Sequence, residues 1–415
     1  GFRLSYTEPL GKGKYLEINA SRQQYENEQE KQFYDLFSDE EVLLEALNNH
    51  YIVDYIYHRA GSVFKYNTKK MNFSGGVSLQ QALLDGKIFS QEDPVKGEYL
   101  YLLPEMTFRY DFKTTRNLSL EYRTEVREPT IQELQPVVDN SNPLSIYEGN
   151  PDLRPEYTHS LNAFFMNYDQ FSFTNFFINA MTTYTRDKIT TAQSIDEYFV
   201  RYATPVNVEE DFGVQGTVSF TTPIRPIKTR ISLSTDWSYN RSIVFVNDLR
   251  NNAKYRTAAF DISLDNRNKK VVDATIGANF KFNHTTYSVS EQFNQAFSSQ
   301  TYYVDVALDL AEKWQVNSSF DYQVYSNEAF GKQLGIPLWT AEVSRFVMKK
   351  KGEIKFSVFD LLNKNEGINR VSRLNYTQEE RIQSLGRYFM LSFAYSISGF
   401  GEDHAGIDVK MSRRR

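Results

Sequence analysis

The sequence predicts an all-β fold, a transmembrane antiparallel β-barrel with about 17 strands in this chain. The first observation behind this is alternation of apolar and polar residues with period two, sustained over roughly ten residues in many segments. A strand sends successive side chains to opposite faces. Such segments exceed the roughly 5–6 residues of an average globular strand and match the roughly 9–11 that a tilted membrane strand needs. The second observation is that short polar turns alternate with mostly longer connections, the pattern of outer-membrane barrels. The third is composition: aromatics are 15% of 415 residues, with 28 Tyr and 31 Phe, yet mean hydropathy is −0.53. Surfaces greasy on one side and wet on the other reconcile these figures. The longest apolar runs, such as Val42-Leu43-Leu44, fall far short of the roughly 18 residues of a membrane helix.

Along the chain, Met71, Phe73, Val77 and Leu79 interleave with Asn72, Ser74, Ser78 and Gln80. Ile231, Leu233 and Trp237 interleave with Arg230, Ser232, Ser234 and Asp236. The same pattern runs through Val272–Phe282, Trp314–Val324 and Phe389–Ile397. In each set the apolar members are expected to face lipid, Ile276 and Phe320 among them. Short turns are read at 9–14, 67–70, 112–116, 167–170, 222–226, 266–270, 311–313 and 349–352. Between them lie connections at 27–49, 86–96, 127–156, 187–208, 246–251, 285–296, 327–336 and 361–385. Eight hairpins around the turns and a last strand near 386–397 give the count of 17. Bacterial single-chain barrels have an even number of strands, so further N-terminal strands are expected. The barrel is read over 1–398 and a tail over 399–415. In 27–49, Ser38 stands three residues before Glu41, ahead of Val42, Leu43, Leu44 and Leu47, which predicts a capped loop helix.

The stretch "YEGNPDLRPEYTHSL", 147 to 161, packs turn residues against a strand-like segment. Pro151 and Pro155 fix φ and restrict the residues before them, while Gly149 permits a positive φ. Together they predict a long loop landing in a strand over 157–167. This landing either touches a ligand or only fixes geometry. Gly and Pro carry little recognition chemistry, which favours the second.

With its upstream sequence the stretch resembles the barrel of TonB-dependent outer-membrane receptors, in particular the Bacteroidota-type outer-membrane β-barrel branch. Arg127, Pro129, Leu134, Gly149, Asn150, Pro151, Leu153, Pro155 and Glu156 stand where that family has its R-x-P … L … G-N-P-x-L-x-P-E pattern. "FSVFDLLNKNEGINR", 356 to 370, resembles the family's penultimate strand and following loop, and "GRYFMLSFAYSIS" resembles its closing strand. The resemblance implies a barrel of 22 strands, an N-terminal plug and a coupling protein of the inner membrane. It also implies import of a nutrient too large for porins, across a bacterial outer membrane. A barrel serving a secretion, motility or surface-lipoprotein assembly is the alternative, as is a passive pore. "SGFGEDHAGIDVKMSRRR" extends beyond the family's usual short aromatic C-terminus.

Other chemistries find little support. Net charge is −5, which gives no basic footprint for nucleic acid. With no cysteine, neither a disulfide framework nor a thiolate metal site can form. His50, His58, His159, His284 and His404 make no H-E-x-x-H pattern, and the acidic run Glu26 to Glu41 lacks calcium-loop spacing. "PLGKGK" lacks the strand–loop–helix setting of a phosphate loop. His159 beside Ser160 is no triad, since strand neighbours point to opposite faces. The chain is therefore read as a non-enzyme without cofactor or metal. Tyr66, Tyr110, Tyr168, Trp237, Trp314 and Tyr388 are expected to form interface girdles. Tyr147, Tyr198, Phe199 and Trp339, placed in outer loops with Tyr34, Phe37 and Phe330, are candidate ligand-stacking aromatics.

Overall fold

The computed structural model describes residues 1–396 except 33, 36–41, 44–48, 90–93, 137, 247–248, 268–269, 290, 311–312, 328–333, 350, 366, 373–376 and 383–384. The predicted tail at 399–415 lies outside the described residues, as do Phe37 and Phe330. In chain order the strands begin with β1 (Phe2–Gly11), β2 (Lys14–Lys31), β3 (Tyr34–Asp35), β4 (Val42–Leu43) and β5 (Asn49–Asn67). Then come β6 (Met71–Ile88), β7 (Val95–Lys113), β8 (Arg116–Arg127), helix α1 (Ile131–Leu134), β9 (Val138–Asn142) and β10 (Ser145–Glu148). Next are β11 (Glu156–Asp169), β12 (Thr174–Ile195), β13 (Arg201–Ile224), β14 (Thr229–Val246), β15 (Leu249–Asn266) and β16 (Val272–Tyr287). The chain continues through β17 (Gln295–Leu310), β18 (Trp314–Asn327), β19 (Leu334–Val347), β20 (Gly352–Phe359), β21 (Gly367–Ser372), β22 (Thr377–Ile382) and β23 (Tyr388–Tyr395).

Nineteen of these strands form one sheet. Setting aside β9 and β10, which belong to the loop between β8 and β11, leaves seventeen long strands, as the sequence predicts. Each pairs antiparallel with its neighbours in the hairpin order; for example β14 pairs with β15 from Thr229↔Asn266 to Val246↔Leu249. Among the described residues β1 pairs only with β2, and β23 only with β20.

Register decides what each face is made of. Ile231, Leu264, Ile276, Val304, Phe320 and Trp339 stand side by side across β14 to β19. One residue over, on the opposite face, the row reads Arg230, Asp265, Thr275, Asp305, Ser319 and Thr340. In the N-terminal half the apolar row continues as Leu16, Phe64, Gly75, Met106, Tyr122 and Leu161. Among the described residues no protein layer covers this apolar face: Ile276 is 56% exposed and Leu391 73%. The polar face holds its own charges in pairs, Lys65 with Glu17 at 2.5 Å and Arg230 with Asp265 at 2.8 Å. A barrel with an apolar band outside and a polar lumen meets both conditions. From Val272 to Phe282 the apolar positions of β16 rise about 34 Å along the strand, which a tilt of about 40° reduces to about 25 Å, the height of such a band.

Several expectations need correction. Val42 and Leu43 form β4, paired with β3, and are not in a helix; Ser38 and Glu41 lie outside the described residues. The span 187–208 is not a loop, because β12 and β13 stay paired from Asn175↔Thr221 to Ile195↔Arg201. Trp339 is not in a loop either: it lies within β19 on the apolar face, its ring centroid 6.3 Å from that of Phe320. Tyr168 and Tyr388 fall on the polar face, outside any outward girdle, and Tyr388 stacks on Phe359 with centroids 4.5 Å apart.

Candidate functional site

Residues 128–155 fold back onto the polar wall of the barrel instead of standing out into solvent. Thr130 begins the turn, and its hydroxyl accepts the Glu133 backbone N–H while the Glu133 carboxylate accepts the Thr130 N–H. This reciprocal capping box shapes α1. The helix buries Ile131 and Leu134 against Tyr51 and Val53 of β5, Leu84 and Ile88 of β6, Leu153, and Ile189 of β12. Those strand positions share the face that carries Lys65, so the apolar cluster sits inside the outer mouth.

The other half of the loop is fixed from both sides. Gly149 N–H donates to the Gln135 carbonyl at 3.1 Å, and Asn150 N–H to the Glu133 carbonyl at 2.6 Å. A Cβ at Gly149 would meet the Gln135 oxygen at 2.4 Å, so close backbone approach, not a positive φ, requires glycine there. Asn150 also donates its side-chain amide to the Pro205 carbonyl of β13 at 3.1 Å. β10 adds a short parallel strand to the start of β13, Tyr147 standing opposite Ala203.

Glu156 closes the knot. Its carboxylate is 5% exposed and takes Arg127 at 2.9 Å, Lys188 at 3.0 Å and the backbone N–H of Ile189 at 2.9 Å. Arg127 also holds Glu133 at 3.0 Å, so strand, helix and landing share one ion network. The Ile189 amide is available because Asp187 takes a left-handed φ of 51° in the middle of β12. Asn207 bonds the Asp187 carbonyl at 2.7 Å, and Arg154 pairs with its carboxylate at 2.7 Å, which holds the conformation. Beside the knot, Glu128 accepts the Tyr57 hydroxyl at 3.3 Å on one oxygen, while the other is buried with no hydrogen-bond partner among the described residues. Burial raises its carboxyl above the ordinary range. Burial likewise raises the Tyr147 phenol.

A concavity of about 570 Å³ lies at the short-turn end of the same polar wall. Tyr168, Phe173, Arg230, Asp265 and Arg267 line it. Among the described residues no three His, Asp or Glu side chains are grouped to hold a metal ion.

The model of the outer membrane protein beta-barrel family matches residues 1–395. The chain belongs to this family. No functionally curated sequence matches it. Among solved structures, the copper transporter OprC is similar over 95% of this chain and 65% of its own, with 10% identity and a TM-score of 0.46. The siderophore receptor PiuA from Acinetobacter baumannii is similar over 95% of this chain and 79% of its own, with 9% identity and a TM-score of 0.30. This chain thus spans about two thirds of the length of OprC. Membership places the barrel in the outer membrane, with the apolar face against lipid.

Of the residues singled out from sequence, Arg127, Pro129, Leu134, Gly149, Asn150, Leu153, Pro155 and Glu156 all converge on the knot, and Pro129 is fully buried. Pro151 sits at its exposed rim. Tyr198 and Phe199 are elsewhere, 74% and 82% exposed at the tip of the β12–β13 hairpin. Asp196 fixes that tip by accepting the Tyr198 and Val200 N–H groups, each at 2.9 Å. Sequence reasoning missed α1, although Thr130 and Glu133 carry the capping-box spacing and Pro129 precedes them. It also missed Lys188, Ile189 and Asn207, whose roles arise from a strand neighbour.

Proposed function

We propose that this chain forms the barrel of an energised outer-membrane importer for a nutrient too large to pass a porin. The observation that supports it most is the segment 128–155, fixed on the inner wall of the mouth by the buried Glu156 carboxylate. A fixed inner surface at the outer end suits capture of a solute before passage. The exposed pair Tyr198 and Phe199 suits first contact, since aromatic faces stack on sugars, peptides or chelate rings at little entropic cost. In this reading the motif residues Arg127, Pro129, Gly149, Asn150, Pro151, Leu153, Pro155 and Glu156 are structural. They hold the mouth in shape, and the ligand meets the aromatics. Energy enters through a plug and an inner-membrane coupling protein, as the resemblance to TonB-dependent receptors implies. No bond is made or broken.

The test is made on the protein purified from its own membrane. Solutes retained through purification are identified by mass spectrometry, and the protein is then placed in a planar bilayer. The proposal expects a retained solute, lost on replacing Tyr198 and Phe199 by Ala, and negligible steady conductance. A large conductance indifferent to solute would make the barrel a passive pore and overturn it.

A further inference from the structure

We propose that the outward face of β12 to β16, at its outer end, binds the phosphate groups of outer-leaflet lipid. The outward rows can be followed upward from the apolar band. Trp237, Ala258 and Phe282 form one row across β14, β15 and β16. The next outward row is Tyr239, Arg256 and His284. Beyond it Arg241 stands opposite Lys254. On the adjoining strands Arg186 of β12 pairs in register with Glu210 of β13, and Phe212 with Arg241. Five permanent cations, Arg186, Arg241, Arg250, Lys254 and Arg256, therefore share one outward surface with two carboxylates, Glu210 and Glu209, the latter held by Arg250 at 2.6 Å. Glu210 is engaged with Arg241 at 2.5 Å.

A cation on the lipid side of a barrel cannot rest in hydrocarbon and extends to the headgroup level. Tyr239, an aromatic with a polar tip, stands where cations first enter the outward rows of β14 and β15. The Arg256 guanidinium lies 6.0 Å from its ring centroid, which holds the charge against the wall. Adjacent strands are about 4.8 Å apart, so Arg241 and Lys254 are close enough to share one phosphate, and guanidinium groups fit phosphate oxygens two at a time.

The N-terminal strands argue against a uniform collar. Past the apolar rows of β2, β5, β6 and β7 the outward positions carry Glu26, Glu28, Glu30, Asp54, Asp85 and Glu98 against Arg22, Lys87 and Lys96. Gln81 of β6 bonds Glu98 at 2.7 Å. The outward charge is net acidic on these strands and net basic on β12 to β16. An anionic lipid would be drawn to the basic flank alone.

The test is native mass spectrometry of the protein in neutral detergent, titrated with lipid A bearing two phosphates, with its dephosphorylated form and with inorganic phosphate. The expected result is retention of the phosphorylated lipid, weak retention of the phosphate-free lipid, and no displacement by inorganic phosphate at equal concentration. Each basic side chain near a headgroup contributes about fivefold. Lys254→Gln with Arg256→Gln should therefore weaken retention about 25-fold, and Arg230→Gln with Lys281→Gln on the polar face should leave it unchanged. Equal retention of both lipids, or an unaffected Lys254/Arg256 variant, would overturn the proposal. Full displacement by inorganic phosphate would overturn it too, in favour of a free-anion site. Should the double variant fold poorly, the two lipids compared on the unaltered protein decide.

Discussion

Replacing Glu156 by Ala should loosen the segment 128–155 without unfolding the barrel. The carboxylate is 5% exposed and receives three donors, Arg127 at 2.9 Å, Lys188 at 3.0 Å and the Ile189 N–H at 2.9 Å. The two cations are 43% and 37% exposed, so water rehydrates them and their loss is discounted to about 0.5 kcal/mol each. The Ile189 amide is buried and left without an acceptor, at a cost of about 2 kcal/mol. The sum of about 3 kcal/mol corresponds to about 100-fold faster opening of the loop. Hydrogen exchange reads this at the amides of Leu134, Gln135, Gly149 and Asn150, whose acceptors all lie within the segment. Glu156→Gln keeps an acceptor for Ile189 and removes only the charge, so about fivefold is expected, from about 1 kcal/mol. Strand amides in β14 to β17 should exchange as before. If Ala and Gln behave alike, or neither changes exchange in the segment, Glu156 does not hold the knot.

Three further outcomes follow from the same geometry. An Arg at Phe320, which faces outward between Val304 and Trp339, should destabilise the barrel by about 2–4 kcal/mol in bilayer unfolding; an unchanged midpoint would mean the faces are reversed. Chymotrypsin on intact cells should cut at Tyr198 and Phe199 and spare Phe171, which is 89% exposed but sits in a short turn; cleavage at Phe171 alone would invert the topology. Glu128 has a carboxyl pushed up by burial, so its neutral form favours the docked loop. That contribution is complete below the ordinary value of 4.5 and is lost as pH rises through the higher docked value. Exchange in 128–155 should therefore speed up over that window, and Glu128→Gln should flatten the change; identical pH profiles for the two proteins would contradict it.

The strands and short turns were legible because a membrane band imposes one rule on every strand. Where that rule lapses, sequence misleads. Beyond the apolar band β12 and β13 lose the alternation that band imposes, so Lys188, Glu209 and Glu210 read as loop although the ladder continues through them. Girdle expectations failed at Tyr168 and Tyr388 because a tyrosine near a strand end suits either wall, and only register assigns it. The landing at 147–161 was readable as a rigid reversal, and β11 begins at Glu156 as that reading requires. What it lands on was not readable, since Ile189 and Asn207 are remote in sequence and their roles depend on one left-handed residue, Asp187.

The central claim, that the apolar face meets lipid and the polar face encloses the lumen, can be read from the protein's three tryptophans. Trp237, Trp314 and Trp339 all lie on the apolar face, 38%, 42% and 36% exposed. In bilayers containing brominated acyl chains their fluorescence should be strongly quenched, while aqueous iodide should have little effect. Strong quenching by iodide and none by bromolipid would place those side chains in water and contradict the account.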